Sequence, residues 1–195
     1  MLEVEIKAFL GGLSLEKIAE TAKELGFREC GALQETDMYF NGNDRNFMKT
    51  DEALRLRSCI ESAGDDSCGK EEIFITYKGP KLDKNSNTRS EYETSVENRE
   101  TMAEILTSLG YREVFTVKKV RREWKLTDGD DREITLCFDR VENLGDYMEL
   151  EIVTVEDSDR EREVAHLLKL LDLLGVSRER MTRKSYLEML IDRSR

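Results

Sequence analysis

Several stretches of this sequence set ionisable residues two positions apart, among them Glu3, Glu5 and Lys7; Arg55 and Arg57; Glu91 and Glu93; Lys119 and Arg121; Glu149 and Glu151. In an extended chain such residues share one face. Paired carboxylates are ligands for a hard divalent cation such as Mg²⁺ or Mn²⁺. Arginine and lysine supply forks and point charges for phosphate oxygens. A polyphosphate carrying its divalent cation satisfies both sets at once. The competing explanation is a solvated sheet face, which is naturally polar. It accounts for scattered lysines and glutamates, but less well for like charges paired on strand after strand. Burying both sets with nothing bound would carry like-charge repulsion and a desolvation cost.

The elements that must position these residues follow from hydrophobic periodicity. Leu2 to Lys7 alternates strictly, with Leu2, Val4 and Ile6 opposite the charged trio. A helix follows from an N-cap at Ser14 through Leu15, Ile18, Ala19, Ala22 and Leu25, stopped by Gly26. Further strands are expected to end at Phe40 and to span Ala53–Ser58, Ile73–Lys78, Thr88–Val96, Glu113–Leu126, Arg132–Asp139 and Asp146–Val153, with an Asp-Gly turn at Asp128 to Asp131. Asn98 caps a second helix that ends at Gly110. Asp157 to Leu174 reads as a leucine-rich helix and Ser185 to Ile191 as a short last one. The polar segment Lys81 to Asn87 is the expected boundary between two halves, about 1–80 and 88–155, that echo each other weakly: charged strand, helix ending in Leu-Gly-aromatic, three strands. C-terminal helices occupy 157–193, and the whole of 1–195 reads as one domain. Some eight strands suffice to close a barrel with room for one small ligand. Helices outside would bury the apolar strand faces, leaving the charged faces to line the bore.

Composition narrows the choices. The 195 residues are 37% charged with a net charge of -11, yet 38% hydrophobic with clear periodicity, as expected of a folded protein. A net acidic chain is a poor generic partner for nucleic acid or an anionic membrane. No apolar run approaches the roughly 20 residues that span a bilayer, and the charged N-terminus lacks a signal-peptide core, so the cytoplasm is the expected compartment. Four cysteines, Cys30, Cys59, Cys68 and Cys137, lie far apart with no CxxC pair, so neither a disulfide framework nor a zinc site is expected. The one histidine, His166, falls in the leucine-rich run. Any metal site must therefore be built from carboxylates.

The strand Glu3-x-Glu5-x-Lys7 resembles the ExExK signature of the CYTH superfamily, the triphosphate tunnel metalloenzymes. Supporting similarities run along the chain: Asp37-x-Tyr39-Phe40, Leu54-Arg55-Leu56-Arg57, Thr76 to Pro80, Arg89-x-Glu91, Lys119-x-Arg121, Phe138-Asp139 and Leu144 to Glu151. ExExK alone is a weak signal in so charged a chain, whereas the ordered set is specific. The resemblance implies an α+β fold built on a closed eight-stranded antiparallel barrel, with helices packed outside. It implies Glu3, Glu5 and Glu149 as metal ligands, with Glu151 and Asp139 nearby. It implies Lys7, Arg55, Arg57, Lys78, Lys119 and Arg121 as triphosphate contacts, with Arg89 at a position also charged in relatives. Of these, Glu3, Glu5, Lys7, Lys78 and Arg121 would carry the chemistry. It further implies Mg²⁺ or Mn²⁺ as cofactor and a homodimer.

Two reactions share this apparatus. A class IV adenylate cyclase converts ATP to cyclic AMP and pyrophosphate, and a triphosphatase hydrolyses inorganic tripolyphosphate or thiamine triphosphate to release orthophosphate. The pattern at Thr76 to Pro80, Asn143 to Glu149 and Arg183 to Leu187 looks most like the cyclases. Bacterial cyclases of that class carry extra residues, including a His-Phe pair, ahead of ExExK, which this chain does not show; hydrolysis therefore stands as the alternative. A non-catalytic polyphosphate- or nucleotide-binding module is the third reading, against which the intact Glu3, Glu5 and Glu149 argue.

Overall fold

A computed structural model describes residues 2–61, 70–82, 86–129, 131–154 and 160–194. Strand β1 (Leu2–Phe9) is followed by helix α1 (Leu15–Glu24) and strands β2 (Arg28–Asn41), β3 (Ala53–Glu61) and β4 (Glu71–Lys78). The same order then recurs: β5 (Arg89–Ser95), α2 (Arg99–Ser108), β6 (Arg112–Thr127), β7 (Glu133–Val141) and β8 (Gly145–Thr154). Helices α3 (Arg160–Leu173) and α4 (Tyr186–Arg193) complete the chain. The expected loop Ser62 to Gly69 with Cys68, positions 83–85 of the proposed boundary, 130 of the turn and 157–159 of the third helix lie outside the described residues.

All eight strands pair antiparallel into a closed barrel in the order β1-β5-β4-β3-β2-β6-β7-β8. Alternation sorts the faces as expected. Leu2, Val4, Ile6 and Ala8 of β1 join Ile134, Leu136, Met148, Leu150 and Ile152 in a buried outer layer beneath α1 and α3. A second layer packs Phe40, Leu54, Leu56 and Ile73 against Leu106 of α2. The side chains of Ser14 and Asn98 cap α1 and α2 as anticipated. Gly26 and Gly110 adopt φ of +97° and +93° after the two helices, a conformation that other residues adopt at a cost.

The helical cover is incomplete. On β6, Trp124 is fully buried under α1, but Val120, two turns of the pleat away on the same outer face, is 44% exposed. Periodicity identifies an apolar face without saying what covers it. The barrel wall is also irregular between β1 and β5, which pair only at Leu2 with Ser90 and Glu3 with Arg89. Beyond that point the wall is completed by other chain: the Asn87 amide donates to the Glu5 carbonyl (2.8 Å) and the Thr182 amide to the Lys7 carbonyl (2.9 Å). The end of the expected boundary segment is therefore structural, with Ser86, Asn87 and Thr88 all buried. At one end of the barrel α4 packs Tyr186, Leu187 and Leu190 against Tyr39, Val117, Val141 and Tyr147. No helix among the described residues is long and apolar enough to cross a membrane.

Candidate functional site

Every charged pair singled out in the sequence faces the bore. One cavity is lined by Glu3, Glu5, Lys7, Arg55, Arg57, Lys78, Arg89, Glu91, Glu93, Lys119, Arg121, Glu149 and Glu151. Period two puts these residues inside, and strand register decides which of them meet.

The β2–β3–β6 wall is a tightly matched ionic network. Register sets Asp37 opposite Arg57 and Glu35 opposite Lys119. The Arg57 guanidinium donates to both oxygens of Asp37, at 2.6 and 2.8 Å, and a fork of this kind fixes both partners. Lys119 Nζ lies 2.5 Å from Glu35 and 3.0 Å from Asp37. Arg55 sits 3.7 Å from Asp37 and donates to Thr76. Burial opposes ionisation of Glu35, but Arg57, Lys119 and Arg121 outweigh it and hold its carboxyl at about 2. Burial likewise opposes Asp37, yet Arg57, Lys119 and Arg55 hold it well below the usual carboxylate range. Glu35 and Asp37 were not among the sequence-derived site residues. Their signal was the same period-two spacing, masked because Gln34 and Thr36 interrupt no apolar run.

The β1–β8 wall is organised around acids. Glu3, Glu5 and Glu151 each present a carboxylate oxygen within 4.8 Å of the others. Among the described residues each has one cation within 4 Å: Lys78 at 2.6 Å from Glu3, Lys7 at 3.2 Å from Glu5, and Arg121 at 3.7 Å from Glu151. Burial raises Glu151 well above the usual range, with Arg121 opposing and Glu3, Glu149 and Glu5 adding to the rise. Glu3 is raised as well, by burial and by hydrogen bonding to Glu91 against the pull of Lys78. Two partly buried acids that resist ionisation beside a third are the environment a divalent cation relieves. Three carboxylates and no softer ligand fit a hard cation of the Mg²⁺ or Mn²⁺ kind.

Glu149 and Asp139, also expected as acidic ligands, are placed differently. Register sets Glu149 opposite Lys7 rather than opposite Glu5. Lys7 Nζ approaches it to 3.0 Å, and Arg121 donates to it as well. Burial disfavours its charge, but Lys7, Arg121 and Lys119 hold it well below the usual range. Asp139 accepts a fork from Arg121 at 2.7 and 2.6 Å and a hydrogen bond from the Tyr186 hydroxyl at 2.9 Å. Lys7 also lies over the Tyr186 ring, 4.5 Å from its centroid. Glu91 meets Lys78 at 2.7 Å, and Glu93 accepts from Thr76. Arg89 is buried and lies 3.8 Å from Asp51. The cavity is also lined by the apolar Phe47, Met48, Ala53 and Leu187.

Chemically, the bore offers a carboxylate trio for a cation on one wall. Lys7, Arg55, Arg57, Lys78, Lys119 and Arg121 are distributed around it. These cations are already oriented by acids, so they need little reorganisation to meet an anion.

The comparisons with known proteins agree with this geometry. The CYTH domain model matches residues 1–186. A proposed adenylate cyclase of Methanocaldococcus jannaschii is 39% identical over 189 residues, covering 97% of this chain and 98% of that protein. The solved structure of the PH1819 protein of Pyrococcus horikoshii superposes with a TM-score of 0.84 at 35% identity, covering 98% of this chain and 99% of that one. A proposed adenylate cyclase of Vibrio parahaemolyticus shares the fold, with a TM-score of 0.76 at 20% identity over 98% of each chain. With the family model matched along nearly its whole length over this barrel, the chain belongs to the CYTH domain family.

Proposed function

We propose that this protein is a divalent-cation-dependent enzyme that converts ATP to cyclic AMP and pyrophosphate inside the bore. CYTH proteins are generally triphosphate-acting enzymes and typically need a divalent cation. The observation that carries the reading is the convergence of Glu3, Glu5 and Glu151 with Lys7, Arg55, Arg57, Lys78, Lys119 and Arg121 on one cavity. Two further features favour a nucleotide. The relative that is 39% identical is a proposed adenylate cyclase. Phe47, Met48, Ala53 and Leu187 add apolar lining, which a base uses and an inorganic triphosphate does not.

Phosphoryl chemistry of this kind rests on positioning and charge neutralisation more than on a protein nucleophile. Lys7, Lys78, Arg55, Arg57, Lys119 and Arg121 hold the phosphate chain and neutralise its oxygens. Glu3, Glu5 and Glu151 hold the cation, while Glu149 and Asp139 keep Lys7 and Arg121 aimed inward. When bound, the cation supplies Lewis-acid neutralisation of phosphate oxygens. The ribose 3′-oxygen attacks the α-phosphorus, the bond to the β-phosphate bridging oxygen breaks, and pyrophosphate leaves. The 3′-hydroxyl proton passes to solvent.

The test is to incubate the protein with Mn²⁺ or Mg²⁺ and ATP, tripolyphosphate or thiamine triphosphate, and to identify products. Cyclic AMP with pyrophosphate is expected. Orthophosphate without cyclic AMP would replace cyclisation by hydrolysis on the same site, and binding without turnover would leave a module. The variant Glu5→Gln should lower turnover by more than about 100-fold, beyond the 10–100-fold typical of a change outside the ligand shell. Unchanged turnover would remove Glu5 from the cation site.

A further inference from the structure

Asn87 belongs to the polar stretch between the two sets of strands and carries no charge, yet it is only 5% exposed and lines the bore. Its backbone amide donates to the Glu5 carbonyl at 2.8 Å, and its side-chain Nδ2 donates to Glu5 Oε1 at 3.0 Å. The orientation of the amide follows from the chemistry of its partner. A carboxylate only accepts, so the nitrogen must face it and Oδ1 must face away. Oδ1 is buried and has no hydrogen-bond partner among the described residues.

That last fact separates two roles. A buried acceptor left without a donor costs stability, so an apolar residue of the same size would serve packing better. The side chain thus gains its bond to Glu5 at a structural cost. Its neutrality also matters. Glu3 and Glu151 are flanked by Lys78 and Arg121, cations that compete with a metal for the same oxygens. Glu5 shares Lys7 with Glu149, and Lys7 Nζ lies nearer to Glu149 (3.0 Å) than to Glu5 (3.2 Å). An amide donor fixes the carboxylate's direction while leaving its charge for the cation.

We infer that Asn87 is a positioning residue for the cation site, holding the Glu5 carboxylate in the orientation in which it binds a divalent metal together with Glu3 and Glu151. This rests on the cation-dependent reading above and assigns a residue that the paired-charge pattern of the sequence does not reveal. Rigidity around it supports the role. The Ser86 and Thr88 hydroxyls are 2.5 Å apart, and Arg183 Nε donates to the Ser86 carbonyl at 3.2 Å.

The experiment measures Mn²⁺ affinity without nucleotide, by electron paramagnetic resonance of free Mn²⁺, on the full chain. Four proteins are compared: the natural chain, Glu5→Gln, Asn87→Ala and the nearly isosteric Asn87→Leu. The expected result is that Glu5→Gln loses binding and both Asn87 variants weaken it by about 10–100-fold, the usual scale for a group that orients a metal ligand. The melting temperature of the metal-free Asn87→Leu protein should stay at or above that of the natural chain, which a purely structural role would not allow. Asn87→Leu keeps the side-chain volume and so guards against misfolding of Asn87→Ala. Mn²⁺ affinity of Asn87→Leu within about twofold of the natural chain, with Glu5→Gln still inactive in binding, overturns the inference alone. Failure of the natural chain to bind Mn²⁺, or equal binding by Glu5→Gln, overturns the cation-dependent reading and this inference with it.

Discussion

Among the described residues, on the β2–β3–β6 wall Asp37 has three cations within 4 Å and Glu35 two, whereas on the facing β1–β8 wall Glu3, Glu5 and Glu151 have one each. Those single cations are themselves shared, Lys78 with Glu91 and Lys7 and Arg121 with Glu149. The protonation preferences divide accordingly. Glu35 and Asp37 are held below the ordinary range, while Glu3 and Glu151 are raised above it. Both walls are equally charged to the eye. The balance of partners, not the number of acids, separates carboxylates that brace arginines from those proposed above to hold a cation.

The comparison breaks most directly if the two kinds of acid respond alike to removal. Asp37→Ala leaves Arg57, Lys119 and Arg55 in the bore with one acid fewer. Breaking a buried pair in this way costs about 3–5 kcal/mol. Glu151→Gln should instead be neutral or slightly stabilising without metal at pH 7, because it removes a partly buried carboxyl that resists ionisation. The same Gln variant should lose the stabilisation against urea that Mn²⁺ is expected to give the natural chain. Urea denaturation of both variants, with and without Mn²⁺, reads all of this. Equal destabilisation of the two would erase the distinction between the walls.

The strands and their inner faces were legible because one alternation encodes both: Leu2, Val4 and Ile6 against Glu3, Glu5 and Lys7, repeated around the barrel. The grouping within the bore was not, because it depends on register. A register shift of two residues on β1–β8 decides whether Glu5 faces Glu151 or Glu149, and because it keeps the same faces inward no local pattern fixes it. Asn87 was hidden for a related reason. Its partner Glu5 is 82 positions away, and an asparagine at the end of the polar stretch Lys81 to Asn87 looks like linker. Tyr186 fell within the expected last helix, Ser185 to Ile191, but its contact with Asp139 arises only when α4 closes the barrel end.

Acid titration sharpens the comparison with a slightly smaller effect. The folded-state value of Glu35, about 2, lies below its ordinary 4.5. A depressed carboxyl contributes stability that is complete above the unfolded value and is lost as pH falls through the folded one. Glu35 is 4% exposed, so screening removes little of it. Its contribution at pH 7 is on the order of 3 kcal/mol. Stability from urea denaturation should therefore fall steeply between pH 5 and pH 2, and Glu35→Gln should flatten that slope. A variant with the natural chain's slope would mean that Glu35 is not part of the braced wall.

The smallest effect concerns Asp139, which sits at the closed end between the two walls. It is matched by the Arg121 fork and further held by the Tyr186 hydroxyl. Tyr186→Phe removes only the hydroxyl. The ring stays beneath Lys7 and against Tyr147, so the closure of the barrel end by α4 survives. Asp139 keeps its guanidinium partner, so the loss is one hydrogen bond to a charged acceptor, about 1.5–3 kcal/mol at most and nearer the lower figure with Arg121 in place. Urea denaturation should give that modest drop without a change in Mn²⁺ affinity. A drop as large as that of Asp37→Ala would mean that Arg121 does not satisfy Asp139, and Asp139 would then move from the braced acids to those held for the cation.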